Sequence, residues 1–271
     1  MYLDKKFPGH PERPRNKTLE WHGSDNPKNY RDYQPNPYTA AEISYTFNAQ
    51  GFRCDAFTSA DASILFLGCS ITEGIGLPEH QVWAKLLLDQ IKQATGLDVP
   101  YWNLALSGCG FDSATRAVCV YEKQLKPDII FALLPAYRKE WRRYDISTGW
   151  ATITADNSSI FERNPWLLEQ PNITYEYEKN FYILNQIAEK YNTLILWDTW
   201  DTDFPDIDQQ LGECSQLFHS IGKVSDVRAR DGRHPGAELH QKYADAVWNK
   251  YRDKIIKRLV GTPGIEPGQE P

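Results

Sequence analysis

Residues 63–76 read Ser-Ile-Leu-Phe-Leu-Gly-Cys-Ser-Ile-Thr-Glu-Gly-Ile-Gly. The apolar run Ile64–Leu67 has no polar alternation, and a glycine closes it. That is the pattern of a parallel strand buried on both faces. Gln81–Thr95 comes next, with Val82, Trp83, Leu87, Ile91 and Ala94 on one helical face. Working outward, Val99–Ala105 is a second strand candidate and Ser113–Gln124 a helix of weaker pattern. Asp128–Leu134 is the clearest strand of the chain. Asn180–Tyr191 reads as a helix, Thr193–Trp197 as a strand, and Pro235 opens a last helix running to about Leu259. Strands alternating with helices predict an α/β fold: a three-layer α/β/α sandwich around a parallel sheet of about five strands.

The flanks differ. Residues 1–42 are rich in Pro, Asn, Lys, Arg and Tyr without a sustained period. They read as an irregular N-terminal arm docked by aromatics such as Trp21, Tyr30 and Tyr33. Residues 43–260 form the α/β domain. Within it, 137–177 fits no regular element and reads as an insertion after a strand's carboxyl end, where a substrate loop sits. Residues 261–271, dense in Gly and Pro, read as a disordered tail.

Composition narrows the class. The chain has 271 residues, 41% apolar and 24% charged, which excludes overall disorder. A net charge of −6 argues against a nucleic-acid surface over the whole protein. No apolar run approaches membrane-spanning length, and no signal peptide is visible, so the expected location is the cytoplasm. Five cysteines, an odd number without zinc spacing, point to reduced thiols rather than a disulfide framework. No cofactor or metal is expected.

Open α/β sheets bind ligands beyond the carboxyl ends of their strands. The segments at those ends hold the groups needed for nucleophilic acyl transfer. After the first strand comes Gly68-Cys-Ser70, which can turn its hydroxyl and its own N–H into the crevice. After the second comes Ser107-Gly108, a backbone able to approach an oxyanion closely. Before the last helix comes Asp231-Gly-Arg-His234, a spacing that lets the carboxylate reach one imidazole nitrogen while the other faces outward.

These blocks resemble the GDSL/SGNH hydrolases over most of residues 45–258. Gly68-Cys-Ser70-Ile-Thr-x-Gly74 is similar to the family's first block, with Cys69 where Asp is common. Asn103-x-Ala-x-Ser107-Gly108 is similar to the second, and Asp231-x-x-His234-Pro235 to the last. Asn48-Ala-Gln-Gly-Phe-Arg53 looks like a lead-in of some branches. The resemblance implies a flavodoxin-like strand order and a Ser70, His234, Asp231 triad. It also implies an oxyanion hole from the N–H groups of Ser70 and Gly108. The third block departs from the family. Leu134-Pro-Ala-Tyr-Arg138 has no Asn, so either Tyr137 or Arg138 supplies the third donor or the hole has two. Losing one such donor typically costs about 2.7–4 kcal/mol of transition-state stabilisation.

The implied activity is hydrolysis of a carboxylic ester, with a small-molecule or glycan substrate such as a carbohydrate O-acetyl group. An O-acyltransferase and a non-catalytic binding module are the alternatives on the same scaffold. Other features have plainer readings. Gly74 and Gly76 lack the third glycine of a dinucleotide fingerprint. The aspartates of 197–208 lack a calcium loop's glycine and read as a solvated loop. Arg138, Lys139, Arg142 and Arg143 read as solvated surface or as a basic rim for substrate. His219 and His240 read as surface histidines without a partner at useful spacing, and Cys69 and Cys109 as small buried apolar groups.

Overall fold

The computed structural model describes residues 14–58, 60, 62–134, 141–145, 149–153, 169–200, 217–221 and 227–261. The elements are strand β1 (Lys17–Leu19), helix α1 (Pro27–Asp32), β2 (Tyr45–Phe47), β3 (Ile64–Leu67), α2 (Ser70–Glu73), α3 (Trp83–Thr95), β4 (Trp102–Asn103), α4 (Phe111–Leu125), β5 (Ile129–Leu134), β6 (Trp141–Asp145), β7 (Gly149–Ile153), α5 (Gln170–Tyr191), β8 (Leu194–Thr199), α6 (Leu217–Ser220) and α7 (Ala237–Val260).

The main sheet is parallel, in the order β4-β3-β5-β8. It has four strands among the described residues, against about five expected. Its order by sequence within the sheet is 2-1-3-4, the flavodoxin-like start. Every residue of β3 and β5 is buried, as an unbroken apolar run requires when helices cover both faces. Ring contacts separate the two faces. Phe66 stacks on Phe131 at 5.4 Å and meets Trp83 of α3 edge-on, and Trp83 in turn meets Tyr243 of α7. On the other side Trp197 of β8 packs edge-on against Phe111 of α4 and Phe181 of α5. Helices α3 and α7 therefore cover one face, and α4 and α5 the other.

Two stretches are more regular than their sequence reads. Residues 141–153 contain the antiparallel pair β6–β7, with Trp141 opposite Ile153 and Asp145 opposite Gly149. Helix α5 starts at Gln170, ten residues before the Asn180 at which the sequence pattern places its start. Tyr177, Phe181, Leu184 and Ile187 are buried at helical spacing, whereas Tyr175 and Tyr182 are exposed. The first turn is carried by Pro171, placed where its missing N–H costs nothing.

From the arm, β1 pairs antiparallel with β2 of the domain, and Asn26 caps α1 by accepting the N–H groups of Lys28 and Asn29. Tyr137, Arg138 and the tail beyond Gly261 lie outside the described residues.

Candidate active site

The chain turns sharply where β3 ends. Gly68 and Cys69 lead directly into α2, whose first residue is Ser70. The buried guanidinium of Arg53 braces the far end of that helix. Its Nη1 donates to the carbonyl oxygens of Gly74 (2.6 Å) and Glu73 (3.2 Å), and its Nη2 to Leu77 (2.8 Å) and Ser44 (3.2 Å). The lead-in sequence is thus a clamp. Asn48 folds it by accepting the N–H groups of Gln50 and Phe52, which places Arg53 beneath the Ser70 turn.

The loop before α7 is pressed against the same region. Arg230 N donates to Gly76 O at 2.8 Å. A Cβ at Gly76 would lie 2.8 Å from Ala229 Cβ, and the residue has φ +79°, so only glycine lets the two segments meet. This contact accounts for one glycine of the run after Ser70.

The meeting brings Ser70 to two residues of a distant turn, Asp231 and His234. His234 Nε2 lies 2.7 Å from Ser70 Oγ, and His234 Nδ1 lies 2.6 Å from Asp231 Oδ2. Asp231 Oδ1 accepts the backbone N–H groups of Arg233 and His234, both at 3.0 Å, which locks the carboxylate in its turn. The Asp231 side chain is fully buried, and that of His234 is 18% exposed. Burial alone would raise the Asp231 pKa. The hydrogen bond and charge of His234 and the hydroxyl of Ser24 overcome it and hold the carboxyl down at about 2.

Leu106 N donates to Gly68 O, so the Ser107-Gly108 turn lies beside the end of β3. Gly108 has φ +78°, and a Cβ added there would meet nothing within 4 Å, so glycine is favoured by backbone conformation rather than by crowding. No group among the described residues accepts the N–H of Ser70 or of Gly108. The fully buried Glu73 fixes this turn, its Oε2 accepting the N–H of Ser107. Asn103 is spent on structure: its amide donates to Thr72 O and Tyr101 Oη, and its Oδ1 accepts Ala105 N.

Sequence reasoning missed the arm's part in this site. His22 Nε2 lies 3.5 Å from Glu73 Oε1, and Ser24 Oγ donates to Asp231 Oδ2 at 2.6 Å. Asp25 and Arg230 form a fully buried ion pair at 2.6 Å, with Tyr45 Oη also donating to Asp25 and the Trp21 ring 4.0 Å from the Arg230 guanidinium. The cluster of tryptophan and tyrosine in the arm was the available signal. Nothing local marked Ser24 or Asp25.

Two expectations are corrected. His240 is buried, not on the surface. Its Nδ1 accepts Trp83 N at 3.0 Å, and burial, with His234 nearby, pushes it down to about 3, so it is neutral. Asp198 is not part of a solvated loop. It ends β8 buried, accepts the N–H groups of Thr199, Leu217 and Phe218, and burial pushes it up to about 6 despite those bonds. The other aspartates of that stretch (Asp201, Asp203, Asp206 and Asp208) and the His219 side chain lie outside the described residues. Among the described residues, no group of three His, Cys, Asp or Glu is placed to hold a metal ion.

No family model matches the chain, and no curated protein does. Solved structures do. The psychrotrophic esterase EstA from a Pseudoalteromonas species is 15% identical, over 71% of this chain and 97% of its own, with a TM-score of 0.47. The lipase Lip_vut3 from a goat rumen metagenome is 15% identical, over 69% and 96%, with a TM-score of 0.46. The acetyl xylan esterase AlAXEase is 14% identical, over 69% and 98%, with a TM-score of 0.39. In this chain the parallel sheet runs 2-1-3-4, with Gly-x-Ser at the end of its first strand and Asp-x-x-His before its last helix.

Proposed function

We propose that the protein is a serine hydrolase of carboxylic esters. One observation carries the reading: the continuous hydrogen-bonded chain from Ser70 Oγ through His234 to the buried carboxylate of Asp231. In this mechanism His234 Nε2 takes the Ser70 proton as Oγ attacks the acyl carbonyl carbon. Asp231 holds the imidazole by Nδ1 and stabilises the imidazolium that forms. The tetrahedral oxyanion is held by the N–H groups of Ser70 and Gly108, with Tyr137 or Arg138 as the candidate third donor. His234 returns the proton to the leaving alcohol, and a water activated by His234 then releases the acid. The preferred substrate is a short acyl group, such as acetyl, on a carbohydrate, because aromatic side chains suit sugar rings. A non-catalytic binding module has no use for a histidine hydrogen-bonded to Ser70, so that alternative is the weaker one.

The test is turnover of p-nitrophenyl acetate by the wild type, Ser70→Ala and His234→Ala. The expected loss is on the order of 10⁴-fold or more for Ser70→Ala, as for other serine hydrolases stripped of a triad member. Wild-type turnover no faster than that of either variant would refute the proposal.

A further inference from the structure

The Ser70–His234–Asp231 chain has a fourth contact that its mechanism does not use. Ser24 Oγ donates to Asp231 Oδ2 at 2.6 Å, the same oxygen that faces His234 Nδ1, and lies 3.5 Å from that nitrogen. Ser24 is held firmly. It sits in a turn closed by two reciprocal bonds, His22 N to Asp25 O and Asp25 N to His22 O. Its carbonyl accepts the side-chain amides of Asn26 and Asn29. The next residue, Asp25, is anchored in the buried pair with Arg230.

Resting on the esterase reading, we propose that Ser24 is a positioning residue that sets the pH range in which His234 acts as a base. Two donors share one carboxylate oxygen. The charge that Ser24 draws is charge no longer available to stabilise an imidazolium at His234. Asp231 Oδ1 keeps both of its backbone donors when Ser24 is altered, so the carboxylate stays in place. The effect of removing the hydroxyl is therefore electrostatic: a stronger hold on the imidazolium and a base that becomes available only at higher pH.

The other charged and titratable groups around the pair are already engaged. Arg230 faces Asp25, Glu73 faces Ser107 N and His22, and His240 on α7 is buried and neutral. Arg233 lies on the same loop and Ser70 on α2. Ser24→Ala alters none of them.

The experiment measures the rate of reaction with a fluorophosphonate probe across about pH 5 to 9 for wild type, Ser24→Ala and Ser24→Thr. The His234 ring is titrated by NMR in the same proteins and assigned with His234→Gln. In Ser24→Ala the acid limb and the ring titration should both move up by about 0.5–1 unit, a three- to tenfold slower reaction at about pH 6. The rate at about pH 9 should stay within roughly twofold, and Ser24→Thr should restore the wild-type limb. Coincident limbs, or a loss by the same factor at every pH, overturn the proposal. A wild type inert to the probe defeats the esterase reading instead. The ring titration then decides Ser24 alone: an upward shift in Ser24→Ala upholds its role, and no shift rejects it.

Discussion

Asp231 is the most constrained side chain of the site. It accepts from Arg233 N, His234 N, His234 Nδ1 and Ser24 Oγ, and water does not reach it. Its carboxyl is held at about 2, below the roughly 3.9 of an unfolded chain. A depressed folded value means that the contribution to stability is complete above about pH 4 and is lost as pH falls through about 2. Asp231→Asn should therefore be less stable than wild type by about 2 kcal/mol at neutral pH, with the gap closing below about pH 3. Denaturant unfolding at a series of pH values checks this, and a gap that does not change with pH contradicts it. At this scale the sequence was legible where chemistry and chain position coincide. Ser70 and Gly108 come after strands, and Asp231 and His234 share one turn. It was illegible for His240, whose partner Trp83 N is 157 residues away and leaves no mark at helical spacing.

Among the elements, β3 and β5 could be read directly because both of their faces are buried, so their sequences are apolar without interruption. Strand β4 is two residues long within the seven-residue run from Val99 to Ala105. The rest of that run is apolar because it is buried: Val99, Leu104 and Ala105 are all core residues. Helix α5 shows the converse. Its first turns are only partly buried and turn just Ile173 and Tyr177 to the core, so periodicity finds only the half where the apolar residues are dense. Strand β8 runs two residues past its apolar pattern, through the polar Asp198 and Thr199. Both are nevertheless buried in the sheet, with Asp198 satisfied by the backbone of α6. A partner brought by tertiary structure turns a polar residue into a strand residue, and composition does not record it.

Across the whole molecule, the arm is a working part of the α/β domain. Residues 20–40 reach the Asp231–His234 loop through Arg230, which donates to Glu20 O and Ala40 O and pairs with Asp25. Asn36 donates to Arg230 O, and Tyr33 Oη accepts Arg228 N. The same arm reaches the Ser107-Gly108 turn through His22 and Glu73. Asp25→Ala strands the fully buried Arg230 without its counter-charge. It should cost about 3–5 kcal/mol, as breaking a buried pair from one side does. Urea denaturation reads this, and a loss below about 1 kcal/mol would show that the arm is only loosely tied to the site. None of these contacts was legible in the arm's own sequence, which has no period to read. Its aromatic content indicated docking but not the place.

The proposed function rests on Ser70 being an activated nucleophile. The most direct measurement is treatment of the wild-type protein with a fluorophosphonate and mapping of the adduct by mass spectrometry. One adduct is expected, on Ser70, absent in Ser70→Ala and formed far more slowly in His234→Ala. A folded wild type that stays unlabelled, or an adduct on a different residue, would contradict an activated Ser70.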